Sequence, residues 1–216
     1  MVEEILPGVV RVAETSKDAD DAEAGLFAEE RASVARAVAR RRAEFATTRA
    51  CARAALAALG VTAGPIPRGE RGAPRWPAGV VGGITHCDGY RAAAVARDAD
   101  LRALGIDAEP HEPVADGVLA RITRPEERPV LDRLAERRPD VCWGKLLFCA
   151  KESVYKAWFP AAGTWLGFLD ARVTPLADGT FIADLLPRPP AGFPTELHGR
   201  WMVRDGLLLT ALAVPA

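Results

Sequence analysis

Gly105-Ile106-Asp107-Ala108-Glu109-Pro110 alternates apolar and acidic residues with a period of two, as a strand does when one face turns toward a core. On that geometry Asp107 and Glu109 leave the same polar face one pleat apart. Pro110, which has no N–H for a ladder, ends the strand just beyond them. Two like charges held so close repel unless a proton or a cation sits between them. A hard divalent cation with oxygen ligands, Mg²⁺ above all, suits such a pair. The hexapeptide alone admits two readings: a solvated edge strand with incidental acids, or one wall of a cation site.

Working outward toward the N-terminus, Val80 to Thr85 reads as a strand, and His86-Cys87-Asp88-Gly89 as a turn with an Asp-Gly hairpin signal. Tyr90 to Arg97 returns as a second strand, Asp98 to Asp100 turns again, and Leu104 to Glu109 is the third strand of a meander. That meander brings His86 into the neighbourhood of the acids. Further upstream, Val9 to Ala13 reads as a short strand, and Asp18 to Glu30 as an acidic loop running into a helix. Glu29 to Leu59 contains no Pro or Gly, and Gly60 supplies a stop, so one long helix is predicted there. Val34, Val38, Phe45, Ala52, Leu56 and Leu59 form its intermittent apolar stripe. Arg36, Arg40, Arg41, Arg42, Arg49 and Arg53 lie largely off it, as a solvated face or as an anion site, since guanidinium groups fork onto phosphate oxygens. Gly64 to Pro77 is a Pro/Gly loop with repeated basic residues that lacks the Gly spacing and Lys-Ser/Thr of a Walker A loop.

Working toward the C-terminus, His111 to Gly117 is a Pro- and Asp-rich connector, so a boundary is placed between an N-terminal subdomain, 1–110, and a C-terminal one, 111–216. Thr123-Arg124-Pro125-Glu126 has capping-box spacing and starts a short helix near Pro129. Asp140 is placed to cap a helix from Val141 to Phe159. Trp143, Leu146, Leu147, Ala150, Val154 and Ala157 make its apolar face, while Lys145, Cys149, Glu152 and Lys156 share another. Trp165 to Val173, Thr180 to Leu185, Gly199 to Val203 and Leu207 to Val214 read as strands, with turns at Asp178-Gly179 and Asp205-Gly206. Each half therefore runs from a long helix to an antiparallel meander, an α+β pattern that suggests duplication without a strict sequence repeat.

At 216 residues, 49% of them hydrophobic, the chain is long enough for a packed core. Its 28 Lys and Arg against 29 Asp and Glu, net −1, give no basis for bulk attraction to nucleic acid or membrane. Met1 to Val10 lacks a basic segment followed by an apolar one, so no secretory leader is expected. The longest apolar runs are too short to span a bilayer. Cys51, Cys87, Cys142 and Cys149 show no C-x-x-C pairing, which fits reduced thiols and a cytoplasmic location.

Three stretches together resemble a known family: Gly83-Ile84-Thr85-His86-Cys87, Gly105-Ile106-Asp107-Ala108-Glu109, and Phe148-Cys149-Ala150-Lys151-Glu152-Ser153-Val154-Tyr155-Lys156-Ala157. In this order and spacing they look like the 4′-phosphopantetheinyl transferases of the Sfp type, nearest the branch of the enterobactin synthetase component D. That family shows (S)-(I/V)-(S/T)-H, then G-(I/V)-D-x-E, then (F/W)-(S/C/T)-x-K-E-(S/A)-x-x-K. Arg41-x-x-Glu44-Phe45, followed by Arg49 and Cys51-Ala52-Arg53, is similar to the branch's N-terminal motif. Thr85 stands where Ser is frequent, and Arg68 where a loop Lys is common; the hydroxyl and the cation are kept.

The resemblance implies two pseudo-symmetric α+β subdomains, each a long helix packed on an antiparallel meander, with coenzyme A and Mg²⁺ (or Mn²⁺) in the cleft between them. It implies transfer of the phosphopantetheine arm to a serine of an apo acyl-, aryl- or peptidyl-carrier protein, releasing adenosine 3′,5′-bisphosphate, by a monomer. The pathways served by such enzymes are fatty-acid, polyketide and nonribosomal-peptide synthesis. Asp107 and Glu109 would hold the metal, with Glu152 as third carboxylate and the Ala108 carbonyl beside them. Arg41, Arg49, Arg68 and His86 would hold the 3′-phosphate and adenosine side of coenzyme A, with Thr85 adding a hydroxyl. Lys151 and Lys156 would reach the pyrophosphate, and Glu152 is the expected base, with Glu109 next in line. Two alternatives remain at this level. Clustered acids with a Lys also serve a Mg²⁺-dependent phosphodiesterase, and anion-binding residues alone would serve a non-catalytic coenzyme A- or carrier-binding module.

Overall fold

Alternating apolar residues in the strands and Asp-Gly turns between them fix most of the chain's antiparallel connections. The computed structural model describes residues 1–115 and 117–216. In chain order these form β1 (Arg11–Thr15), α1 (Ala28–Val34), α2 (Ala39–Ala58), β2 (Val80–Cys87), β3 (Tyr90–Arg97) and β4 (Leu101–Pro110). Then come α3 (Val118–Ile122), α4 (Arg128–Arg137), α5 (Trp143–Ala162), β5 (Ala171–Pro175), β6 (Thr180–Leu185), β7 (Glu196–Arg204) and β8 (Leu207–Pro215). One sheet has the order β1-β3-β2 and the other β4-β8-β7-β6-β5. The mixed α+β class read from the sequence is the class observed.

The side-chain period of the strands explains how the layers stack. On β3, Ala93 and Val95 face α2 and meet Cys51, Ala52, Ala55 and Leu56. Tyr90, Ala92, Ala94 and Ala96 point the other way, onto Leu104, Ile106 and Ala108 of β4 and Leu207, Leu209 and Ala211 of β8. The opposite face of the second sheet, including Leu208, Leu212 and Val214, packs against Leu146, Leu147, Ala150 and Val154 of α5. The order through the molecule is therefore α2, first sheet, second sheet, α5. Leu104, Ile106 and Leu209 are fully buried at the sheet–sheet seam. Each such side chain contributes about 1.5–3 kcal/mol, so the seam is a core and not a hinge.

Several boundaries differ from the sequence reading. The meander ends at β3: β4 pairs with β8, with Asp107 opposite Thr210 and Glu109 opposite Leu208. The boundary expected after residue 110 thus lies on the far side of a strand that hydrogen-bonds into the second sheet. Within the connector expected at 111–117, residue 116 lies outside the described residues. The long helix from Glu29 divides at 35–38, where Val38 takes an extended backbone and starts α2. Asp140 does not cap α5; it pairs with Arg138, and His111 Nε2 accepts from the Cys142 N–H at 3.0 Å instead. The Thr123 capping box is replaced by Glu127, whose carboxylate accepts from Arg124 N at 2.7 Å. The strand expected from Trp165 begins at Ala171.

Candidate active site

Strand β4 carries the acids to a place where both of its faces are covered. Ile106 and Ala108 enter the seam, while Gly105, Asp107 and Glu109 face α5. Gly105 is required by that docking, because a Cβ built on it would stand 1.9 Å from the Ser153 carbonyl oxygen. The close approach puts the polar face of α5 directly over the acids. Lys156 Nζ donates to Asp107 Oδ1 at 2.6 Å, and Lys145 Nζ stands 3.5 Å from Glu109 Oε2. Burial first, and then the Asp107 charge, push both Glu109 and Glu152 above the usual carboxylate range.

Thr85 is 1% exposed and is committed elsewhere than expected. Its hydroxyl donates to Asp107 Oδ1 at 3.0 Å and accepts from the Ala108 N–H at 3.0 Å. It fixes the acidic strand against β2 and is not free for an incoming ligand. Lys151 also departs from expectation. It is buried, and its ammonium donates to Ile122 O at 2.7 Å, Glu127 Oε2 at 2.9 Å and Phe168 O at 2.7 Å. A primary ammonium has three protons, so Lys151 ties α5 to α3, α4 and the segment before β5, with none left for a pyrophosphate.

The other predicted residues converge. A cleft of about 260 Å³ opens between the two halves, lined by Arg41 and Arg49 of α2, Arg68 of the Pro/Gly loop, His86 of β2, and Glu152 and Lys156 of α5. Arg49 is 4% exposed and stacks over the Phe45 ring at 4.3 Å. Its Nε donates to Ile66 O at 2.8 Å, the one hydrogen bond it makes among the described residues. Burial lowers its pKa to about 10; the Glu30 charge opposes the shift, and Arg53, Arg68 and Arg41 add to it. Arg41 contacts His86 Nε2 and donates to Glu44 Oε2 at 3.3 Å. Burial, then the Arg41 charge, lowers His86 to about 4. Arg49 and Arg68, with Arg41 shared with Glu44, set guanidinium groups around a neutral imidazole and make a site for a multiply charged anion.

Some lining residues were not foreseen. Arg71 lies in the same loop as Arg68, at a positive φ of 49°, and its guanidinium covers the Trp165 ring at 5.0 Å. Tyr155 has a buried hydroxyl without a partner among the described residues, and its ring lies 4.8 Å from that of Trp165. Arg71, Glu152 and Tyr155 also border a second, more apolar pocket with Trp165, Leu166 and Phe168. Tyr155 sits between Glu152 and Lys156 in sequence, and that adjacency was its available signal. The path of the loop carrying Arg71 had none. Arg42, one of the arginines set off the apolar stripe, turns away to Glu23 and the Ala37 carbonyl.

The donor chemistry around Asp107 suits a hard cation. Asp107 Oδ2 is buried and unpartnered among the described residues, and its charge acts on Glu109 and Glu152. No group of three potential ligands is already gathered into one coordination sphere among the described residues. Lys156 and Lys145 supply the positive charge here.

Comparison with known proteins places this geometry in a family. A family model for the 4′-phosphopantetheinyl transferase N-terminal domain matches residues 29–96, and one for the 4′-phosphopantetheinyl transferase superfamily matches 103–206. The chain belongs to the 4′-phosphopantetheinyl transferase superfamily. The transferase is 53% identical to 4′-phosphopantetheinyl transferase Svp of Streptomyces mobaraensis, over 100% of this chain and 90% of that one. It is 47% identical to 4′-phosphopantetheinyl transferase PptT of Mycobacterium tuberculosis, over 86% and 85% of the two chains. Enterobactin synthase component D of Salmonella typhimurium, the branch expected from the motifs, is 33% identical over 81% of this chain and 72% of that one. The transferase is thus an enzyme that moves the 4′-phosphopantetheine arm of coenzyme A to carrier proteins. The phosphodiesterase and the non-catalytic module fall away.

Proposed function

We propose that the cleft binds coenzyme A with its phosphates among Arg41, Arg49, Arg68 and His86, and presents the pyrophosphate to Lys156. The observation that carries this reading is the convergence of those four groups with Glu152 and Lys156 on one cleft. The apolar pocket beyond Tyr155, walled by Trp165, Leu166 and Phe168, takes the pantetheine arm, which is neutral and largely aliphatic. Arg71, at the junction, covers the point where charge gives way to apolar surface.

Asp107 with Glu109 would hold Mg²⁺, through Asp107 Oδ2, unpartnered among the described residues, and the Glu109 carboxylate, with Glu152 as a third carboxylate that feels the charge of both. Such an ion, when bound, neutralises pyrophosphate charge and aligns its oxygens. The acceptor is the serine hydroxyl of an apo carrier protein. Its Oγ forms the bond to the β-phosphorus, the bond from that phosphorus to the bridging oxygen breaks, and adenosine 3′,5′-bisphosphate leaves. Glu152 takes the serine proton, because a raised pKa makes it a better base than an ordinary carboxylate. Lys156 stays charged, pushed up by Asp107 against the effect of burial, and steadies the leaving pyrophosphate oxygens. Thr85 keeps Asp107 in its rotamer. The four free cysteines fit a reducing, cytoplasmic setting, and the enzyme is proposed to work as a monomer.

Mass spectrometry of an apo carrier protein incubated with coenzyme A and Mg²⁺ tests these roles. The carrier should gain one phosphopantetheine, and the gain should disappear with a chelator or in Asp107→Asn. In single-turnover experiments at saturating coenzyme A, Glu152→Gln should slow transfer at least about 100-fold while affinity changes little. Normal transfer with chelator present removes the metal from the reading. A normal Glu152→Gln rate with the same pH profile passes the base to Glu109.

A further inference from the structure

Glu30 is the most deeply buried carboxylate of the N-terminal half, 0% exposed, and the chemistry described above does not use it. It accepts four N–H bonds. Phe27 N donates to Oε2 at 2.9 Å, Ile66 N to Oε1 at 2.8 Å, and Arg53 Nη1 to both oxygens at 3.0 and 3.1 Å. Arg53 is held in turn by the Gly25 carbonyl at 3.0 Å. A buried carboxylate pays for its desolvation only when so fully satisfied.

The bond to Ile66 has the longer reach. Ile66 is itself fully buried, and its two backbone groups face opposite partners. Its N–H goes to Glu30, and its C=O accepts from Arg49 Nε at 2.8 Å. One peptide residue therefore links a buried anion to the guanidinium that lines the cleft. Ile66 also stands two residues before Arg68, at the root of the loop that runs through Arg71.

We propose that Glu30 is a positioning residue for phosphate recognition: by clamping Ile66 it sets the place of Arg49 and of the Arg68 loop, and so the preference for coenzyme A over its 3′-dephospho form. This rests on the reading that Arg49 and its neighbours hold the 3′-phosphate. The side chain never touches the ligand, and it fixes the frame in which the guanidinium groups stand. Glu30→Gln keeps the volume, can still accept from one N–H, and removes the charge that holds Arg53.

The test compares kcat and KM for coenzyme A and dephospho-coenzyme A in the wild type, Arg49→Ala, Glu30→Gln, the double variant and Arg53→Met. Arg49→Ala examines the underlying reading, and an equal KM change for both donors there would overturn that reading and this inference with it. Given a selective Arg49→Ala, Glu30→Gln should raise KM for coenzyme A about tenfold, leave KM for dephospho-coenzyme A within about twofold, and hold kcat at saturation within about twofold. The double variant should lose little more selectivity than Arg49→Ala alone, because both changes act on one element. Arg53→Met weakens the same buried pair but leaves the Glu30–Ile66 bond, so it should lower the melting temperature with the donor preference retained. If Glu30→Gln does not fold, Glu30→Asp, shorter by one methylene, is judged by the same criterion. An unchanged donor preference in the Glu30 variant, or a selectivity loss that simply adds to that of Arg49→Ala, overturns the proposal.

Discussion

His86 shows how burial prepares a residue for an anion that arrives later. Burial and the Arg41 guanidinium lower its pKa from the ordinary 6.5 to about 4, with Glu44 opposing them. Between those two values the unfolded chain binds more protons than the folded one. The stability contributed by the neutral ring is therefore complete above about pH 6.5 and declines as pH falls toward about 4. A phosphate in the cleft favours the imidazolium, so coenzyme A binding near pH 5.5 (about midway in that window) should take up a proton. Calorimetry in two buffers of different ionisation enthalpy reads this directly. The 3′-phosphate exchanges protons of its own near this pH, so the wild type should take up more protons than His86→Gln; equal exchange in both would remove His86 from the anion site. At this scale the motifs located residues better than they located partners. Lys151 and Lys156 stand in one motif, yet one is spent on Glu127 and two carbonyls and the other on Asp107. Helical spacing gives a direction around an axis, and it separates the two lysines. It does not say what α3, α4 and the turn before β5 will place in that direction.

The site geometry at the scale of elements rests on how closely α5 lies on β4. A glycine at 105 permits the approach, and the Asp107–Lys156 ion pair at 2.6 Å is its consequence. In Gly105→Ala the added methyl meets the Ser153 carbonyl and, at 3.0 Å, the Ala157 N. Both are backbone atoms of a helix packed on its other side, so strand and helix must separate. Overpacking of this kind costs about 1–3 kcal/mol or more. Gly105→Ala should lower the urea midpoint and nearly abolish transfer. Gly83→Ala, whose nearest contacts are Ile106 Cγ1 and N at 3.2 Å, should be milder. A Gly105→Ala enzyme with wild-type stability and rate would show that the close docking does not set the site. The alternation around Asp107 was legible because one strand's period is a local property. The break between α1 and α2 was not. Arg36-Ala37-Val38-Ala39 contains no helix breaker, and the extended turn at Val38 is set by the packing of Leu26, Val34, Phe45 and Ala46 into a small core of their own.

For the whole molecule, the placement of β4 decides where the halves divide. Sequence order joins β4 to β3 through a short turn, and a meander is the natural extrapolation from neighbouring strands. Hydrogen bonding instead makes β4 the edge of the second sheet, along nearly the full length of β8. Its ties to the first sheet are its seam-facing side chains and the Thr85 hydroxyl, which bridges Asp107 and the Ala108 N–H. Residues 97–100 between β3 and β4 are exposed, whereas a cut after Pro110 would strand β4 on the N-terminal piece. That piece would display an unpaired edge with the buried Asp107 opened to solvent, and the C-terminal piece would lose the strand on which α5 docks. Two split enzymes separate these architectures. Co-expressed fragments cut between Asp98 and Ala99 should associate through the apolar seam, co-purify, and recover phosphopantetheine transfer. Fragments cut between Pro110 and His111 should associate weakly and recover little, because β4 must find β8 from another chain before the acids can meet Lys156. Equal recovery from both cuts would mean that β4 belongs as much to the first half as to the second, and that pairing with β8 does not hold the site together.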